Sequence, residues 1–170
     1  MLEPRQSSPV LILIDHSSQP RKYLLEWHDK WRCFMFPVTV ARKFDDEEWG
    51  LHSTETDADA ALRGAAEATK CCLRKNGLRR HVRSVSVTAV SHSQGHLTGY
   101  QIDVFHYRLS GNTDLLRLGQ WLTLEDVVNE NLGPISEVAR TTAKRLLELQ
   151  LDVTTPEQED ALWEAVHPIA

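Results

Sequence analysis

The chain is poor in the features that mark proteins for export, membranes or nucleic acid. Cysteine is scarce: Cys33, Cys71 and Cys72 are the three among 170 residues. So odd and low a count builds no disulfide framework. Adjacent cysteines on a helix also point apart, so reduced thiols and a cytoplasmic setting are expected. Long apolar runs are missing as well. The run "VLILI" (Val10–Ile14) stops after five residues, too short for the apolar core of a signal segment or for a membrane span. Positive charge is not in excess, because 19 Lys and Arg stand against 24 Asp and Glu, a formal net charge of −5. That balance gives no general attraction to nucleic acid or to an anionic membrane, and neither partner is expected. The small basic cluster Arg79, Arg80, His81 and Arg83 reads as a solvated strand entry. No internal repeat or low-complexity tract is apparent.

What is present suits one soluble domain with a real core. The apolar share is 41% and the charged share 25%, both ordinary for a globular protein of this size. Val10–Ile14 is continuously apolar and β-branched, which predicts a buried strand. A turn at Ser17–Pro20 leads to a second strand, Lys22–Trp27, and the two are expected to form a hairpin. Arg32–Ala41 reads as extended and broken near Pro37, and Arg42–Asp59 as an acidic loop. A helix is predicted within Asp57–Lys75, capped by Thr56 or Asp57 and stopped by Asn76-Gly77. Its stripe of Ala61, Ala65, Ala68 and Cys72 is spaced four, three and four, which is helical.

His81–Ser93 and Leu97–Ser110 alternate as a long antiparallel hairpin, with Tyr100, Ile102 and Val104 on one face. A turn at Gly111–Asp114, a short strand near Trp121 and a short helix from Thr123 follow. Helices are then predicted at Ile135–Leu149 and Pro156–Val166. This order implies a mixed sheet with helices on both faces. Residues 1–8 are read as a flexible N-terminus, 9–150 as the domain and 151–170 as a C-terminal helical extension.

The same order and three local motifs resemble the Nudix family. Its signature is G-x5-E-x7-R-E-U-x-E-E-x-G-U, with U aliphatic. Arg63 takes the arginine and Glu55, eight residues earlier, the upstream glutamate. Glu67 takes the first of the paired glutamates, and Ala65 and Cys71 the aliphatic positions. The segment "WRCFMFPVTVA" (Trp31–Ala41) resembles the family's Trp and F-P-G-G strand, with Val38 and Thr39 in place of glycines. "GQWLTLEDVV" (Gly119–Val128) resembles its late Trp and S/T-L-E-E-L segment. The resemblance implies an α/β fold with α+β character, an α/β/α sandwich around a mixed sheet. It also implies hydrolysis of a diphosphate linked to another group, with Mg2+ or Mn2+ as cofactor.

Four box positions depart from the signature. Gly64 and Ala68 replace two glutamates, Lys70 replaces the late glycine, and Trp49 stands at the first glycine with Gly50 one residue on. Mg2+ demands several hard oxygen ligands, and carboxylates three and four residues apart supply them from one helical face. That face keeps Glu67 alone as a metal ligand. Asp45, Asp46, Glu47, Glu48 and Asp103 are the candidate substitutes. The expectation is a non-hydrolytic domain that binds a nucleotide-like ligand or a protein partner, with the remnant box Glu55, Arg63 and Glu67.

Trp31 and Phe34, with Arg63 and Glu67, are the candidate ligand contacts, and Trp27 lies beside them. Each has a plain alternative. Arg63 and Glu67 make an i, i+4 surface pair, Glu55 is either a helix-entry residue or the partner of Arg63, and the aromatics suit a core. Two other functions stay open: an active pyrophosphohydrolase with relocated acids, and an assembly or homodimer domain docking through Leu162, Trp163 and Val166. His92, His96 and His106 lack a closed ligand spacing, so no zinc site is expected, and Cys33 is not read as a nucleophile.

Overall fold

The computed structural model describes residues 5–15, 20–46, 48–91, 95–109 and 119–148, and the backbone alone at 5–7, 45, 46, 51, 52 and 81–84. In chain order the elements are β1 (Arg5–Ser7), β2 (Val10–Asp15), β3 (Tyr23–His28), β4 (Cys33–Met35), β5 (Val38–Thr39), β6 (Lys43–Asp46) and β7 (Leu51–Thr54). Then come α1 (Asp57–Thr69), a 3-10 turn (Lys75–Gly77), β8 (Leu78–Val90), β9 (Leu97–Arg108), β10 (Gln120–Leu122), α2 (Leu124–Asn129) and α3 (Glu137–Glu148).

β2 is apolar without alternation because both of its faces are covered. Successive side chains point to opposite sides of a strand. Leu11 and Leu13 therefore join the core under α2 and α3, with Ile102, Val104, Leu124, Ala139 and Leu146. Val10, Ile12 and Ile14 join the core under α1, with Ala60, Ala61, Ala65, Ala68 and Phe105. The result is the expected α/β/α sandwich on a mixed sheet. β2 runs parallel to β9 from Val10↔Asp103 to Asp15↔Arg108, and antiparallel to β5 at Val10↔Thr39. The sheet order is β1-β9-β2-β3-β10, with β4 on β3 and β8 on β9. The long β8–β9 hairpin forms as expected, bulged between Arg80 and Val85.

Several expectations are corrected. β2 and β3 are antiparallel but share the single pair Asp15↔Tyr23, since over Val10–Ile12 the edge of β2 away from β9 is taken by β5 and the Pro37 carbonyl. The Arg42–Asp59 loop contains a two-stranded ribbon, β6 on β7. Its polar residues hid the strands, and Gly50, at φ +62° in the turn between them, supplies the left-handed conformation that a side chain disfavours. Helix α1 stops at Thr69, with Lys70 in the left-handed region, well before Asn76-Gly77. This early stop brings Leu73 onto the α1-side core and lets the Arg74 amide donate to the Tyr107 hydroxyl at 3.2 Å. Cys72 is consequently exposed, and the buried face of α1 is Ala60, Ala61, Gly64, Ala65 and Ala68. Each methyl buried there contributes about 0.8 kcal/mol.

Within the stretch read as loose, β1 pairs parallel with Thr98–Tyr100 of β9. β8 begins at Leu78 rather than His81. α3 begins at Glu137, capped by Ser136 Oγ, which accepts from the Ala139 amide at 3.1 Å. Ile135 instead bridges to Phe34. Thr56 and Thr123 cap α1 and α2 as the sequence predicts. The turns at Ser17–Pro20 and Gly111–Asp114, Leu149, and the helix at Pro156–Val166 with Leu162, Trp163 and Val166 lie wholly or partly outside the described residues.

Candidate functional site

The three charged box residues line up along α1, with Arg63 at its middle between Glu55, just before the helix, and Glu67 in its last turn. Arg63 donates through Nε to Glu55 Oε1 at 3.1 Å and through Nη2 to Glu55 Oε2 at 2.9 Å. This two-pronged geometry is the strong form of the guanidinium–carboxylate pair. Nη2 also donates to the Val40 carbonyl at 3.0 Å. Glu55 in turn accepts from the Arg42 amide at 3.0 Å, while its own amide donates to the Arg42 carbonyl at 2.7 Å. Glu55 is therefore the partner of Arg63. Together they hold both ends of the β6–β7 ribbon, residues 42 and 55, against α1. The Arg63 hydrogen bonds, helped by the Arg42 amide, hold the Glu55 carboxyl down to about 2.

Glu67 sits beside this clamp, with its side chain 60% exposed, 3.6 Å from Arg63 Nη1 and 3.8 Å from Arg42 Nη2. Solvated pairs of this kind add at most about 1 kcal/mol. Both guanidiniums also compete with an arriving cation for the Glu67 carboxylate.

Gly64 and Ala68 lie on the buried side of the helix. A Cβ built on Gly64 would stand 2.9 Å from Ile12 Cδ1 and 3.1 Å from Thr39 Cγ2. Ile12 is wholly buried, and Ala68 is part of the same core. The glycine is thus required by close packing of α1 on β2 and β5, and Thr39 fills space beside it. Of the candidate replacement acids, Asp45, Asp46 and Glu47 lie outside the described side chains, and Glu48 is exposed in the ribbon turn.

Asp103 lies on β9 and faces Asp57 at the first turn of α1, with Arg80 Nη2 at 3.9 Å from Asp103 and 4.0 Å from Asp57. Burial, and then the hydrogen bond shared with Asp57, push the Asp103 carboxyl up to about 6 against the pull of Arg80. A folded-state value above the ordinary one of about 3.9 means that the stability linked to this proton is full at low pH and is lost as pH rises through about 6. Asp103→Asn is therefore expected to be more stable than the parent at neutral pH, by about 1 kcal/mol after allowance for solvent screening, and equal to it near pH 4. Thermal unfolding at the two pH values checks this, and an equal gain at both would contradict it. Among the described residues, no group of three or more His, Cys, Asp or Glu is placed to hold a metal ion.

Trp31 and Phe34 lie away from the clamp in the chain, on the β3–β4 hairpin. Trp31 stacks on His28, with ring centroids 3.9 Å apart and planes at 11°. Phe34 meets the half-exposed Trp27 edge-on at 4.9 Å. Phe34 also packs on the α2/α3-side core, and its amide and carbonyl hydrogen-bond to Pro134 and Ser136.

One charged cluster escaped the sequence reading. Asp15, fully buried at the end of β2, stands 3.1 Å from Arg21 Nε, 3.2 Å from His106 Nε2 and 3.4 Å from Arg108 Nε. Burial would raise the Asp15 carboxyl. The His106 hydrogen bond and the charges of His106, Arg108 and Arg21 outweigh it and hold the group below its ordinary value. The signal was an acid closing a strand of five apolar residues, in register with Leu11 and Leu13. His92 lies outside the described residues, and His96 is on the β8–β9 turn. No described helix is long and apolar enough to cross a membrane.

Compared with solved structures, the chain is similar to an Ap4A hydrolase from C. elegans, at 15% identity over 88% of this chain and 99% of that one, with a TM-score of 0.52. It is also similar to the E. coli dihydroneopterin triphosphate pyrophosphohydrolase, at 14% identity over 84% and 97%, with a TM-score of 0.53. A Nudix hydrolase from M. smegmatis matches at 16% identity over 90% of each chain, with a TM-score of 0.50. No family model and no curated protein matches the sequence itself. At these identities the likeness establishes the fold, and the fold is that of the Nudix hydrolases.

Proposed function

Taking the Nudix fold as the premise, we propose that residues 9–150 form a binding module that takes a nucleotide-like ligand and does not hydrolyse it with a divalent metal. The observation that carries this reading is the packing of Gly64. The position where the box signature asks for a metal-binding glutamate admits a side chain only if Ile12 and Thr39 shift, since a Cβ there would stand 2.9 Å from Ile12 Cδ1 and 3.1 Å from Thr39 Cγ2. Ala68 offers no donor atom, and Glu67 is flanked by Arg42 and Arg63. These residues do not fit Mg2+ or Mn2+, which need several hard oxygens around one centre. The two-pronged Glu55–Arg63 pair and its hydrogen bonds to Arg42 and Val40 support a bracing role of the remnant box on the β6–β7 ribbon. The ligand class is taken from the fold neighbours, two of which are named for Ap4A and for dihydroneopterin triphosphate.

The test is direct. Purified protein is incubated with Mg2+ or Mn2+ and Ap4A, dihydroneopterin triphosphate or a nucleoside diphosphate derivative. Product formation equal to a metal-free control is expected. Metal-dependent turnover that disappears in Glu67→Gln would replace the proposal with an active hydrolase using relocated acids. Mass spectrometry of denatured protein and calorimetric titration with nucleotides then probe binding. A protein that retains and binds none of them would point instead to an assembly role, with a protein partner or a second copy.

A further inference from the structure

The two adjacent thiols lie where α1 ends. Cys71 is half-buried and Cys72 exposed, on an irregular link after the left-handed Lys70. On a helix, neighbouring side chains diverge by about 100°, and the pair would not converge. Off the helix that constraint is gone. Consecutive Cα atoms are about 3.8 Å apart across a trans peptide, within reach of side-chain rotamers that turn both sulfurs toward one atom.

The link is held at each end. Thr69 Oγ1 donates to the Ala65 carbonyl at 2.8 Å on one side, and the Arg74 amide donates to the Tyr107 hydroxyl at 3.2 Å on the other. Leu73 is packed into the α1-side core. The Cys71 thiol is turned back toward the Thr69 carbonyl at 3.3 Å. The dithiol is thus displayed on a short anchored segment instead of a free tail.

We propose that Cys71 and Cys72 form a chelating site for a trivalent arsenical, an R–As group that bonds both sulfurs. The donor set selects this class. Sulfur suits soft centres, and the neighbouring sequence Lys70–Gly77 contains no carboxylate or histidine. Among the described residues no third Cys, His, Asp or Glu completes a metal site, so tetrahedral zinc, which takes four ligands, is not served. An organic arsenical brings its own third substituent and needs two sulfurs. For an arsenic oxide, R–As=O plus two thiols gives R–As(S–)2 and water. Both thiol protons leave with the oxide oxygen, and arsenic stays trivalent. Cys33 is buried, which leaves one site per chain. The inference is independent of the proposed ligand-binding function.

Phenylarsine oxide and the full reduced chain test it. One arsenical bound is expected to consume two titratable thiols. The adduct is expected to survive excess monothiol and to be released by a dithiol such as 2,3-dimercaptopropanol. Cys71→Ser and Cys72→Ser are each expected to weaken monothiol-resistant binding by about 100-fold, the scale of losing an intramolecular second bond. Cys33→Ser is expected to leave it unchanged. Consumption of one thiol in the unaltered protein, or monothiol-resistant binding retained in either Cys71→Ser or Cys72→Ser, would overturn the proposal. The thiol count on the unaltered chain needs no variant, so a misfolded mutant does not blunt the test.

Discussion

Gly64→Glu is expected to destabilise the protein by about 3 kcal/mol, although on paper it restores the box signature. The new Cβ would stand 2.9 Å from Ile12 Cδ1 and 3.1 Å from Thr39 Cγ2. Ile12 is fully buried, so a shift of its Cδ1 disturbs the packing around it, and overpacking of this kind costs about 1–3 kcal/mol. A carboxylate driven among apolar side chains adds a desolvation cost. Replacing a helical glycine returns about 0.5–1 kcal/mol, which does not offset the two. Gly64→Ala isolates the steric part and is expected to cost about 1 kcal/mol net. Thr39→Gly, combined with Gly64→Glu, is expected to recover part of the loss by vacating one side of the clash. Urea midpoints of the four proteins decide the matter. A Gly64→Glu protein as stable as the parent would show that α1 is free to lift from β2 and β5.

Asp15→Asn is expected to cost about 3–5 kcal/mol at neutral pH, the usual penalty for removing one partner from a buried charge group. Asparagine keeps the shape but removes the negative charge that Asp15 sets beside Arg21 and His106, both almost fully buried. Folded domains are stable by about 5–15 kcal/mol, so this one atom-scale change consumes a large share. The pH dependence fixes the cause. The Asp15 carboxyl is held below its ordinary value by His106, Arg108 and Arg21 in spite of burial. The stability it contributes is therefore present above about pH 4 and is lost as pH falls through the lowered folded value. The gap between parent and variant should shrink on acidification. A gap that stays constant into strong acid would assign the loss to packing instead of charge.

Most of the architecture was legible because it rests on periodic burial. β2 reads as a continuous apolar strand, β9 as alternation, and the threonine caps as local chemistry, and all three survive in the structure. The ribbon β6–β7 was missed because its strands, "KFDD" and "LHST", carry no apolar alternation to report a buried face. The end of α1 was misplaced because its stop is tertiary: the chain leaves the helix to place Leu73 in the core and Arg74 on Tyr107.

At the site, the sequence leaves Glu55 as either a helix-entry residue or the partner of Arg63, and the two-pronged hydrogen bonds decide for the partner. Gly64 was read as a possible lost ligand, and its neighbours Ile12 and Thr39 turn it into a packing requirement. Such a role depends on residues 52 and 25 positions away in the chain and leaves no local trace. The Asp15 cluster was hidden for the same reason, since its partners His106 and Arg108 lie on β9, far along the chain, and Arg21 lies just before β3.

The central strand β9 carries a consequence for how the chain folds. It pairs with β1, β2 and β8, so segments from both sides of the helix α1 depend on it. The parallel ladder between Val10 and Asp103 closes a loop of most of the domain. The entropy of that closure must be met before its hydrogen bonds form. During synthesis, β1, β2 and α1 emerge long before their organising strand, and β2 then has only β5 and the start of β3 to pair with. A chain cut before Leu97–Arg108 is expected to lack the ladders that tie β1 and β2 into the main sheet.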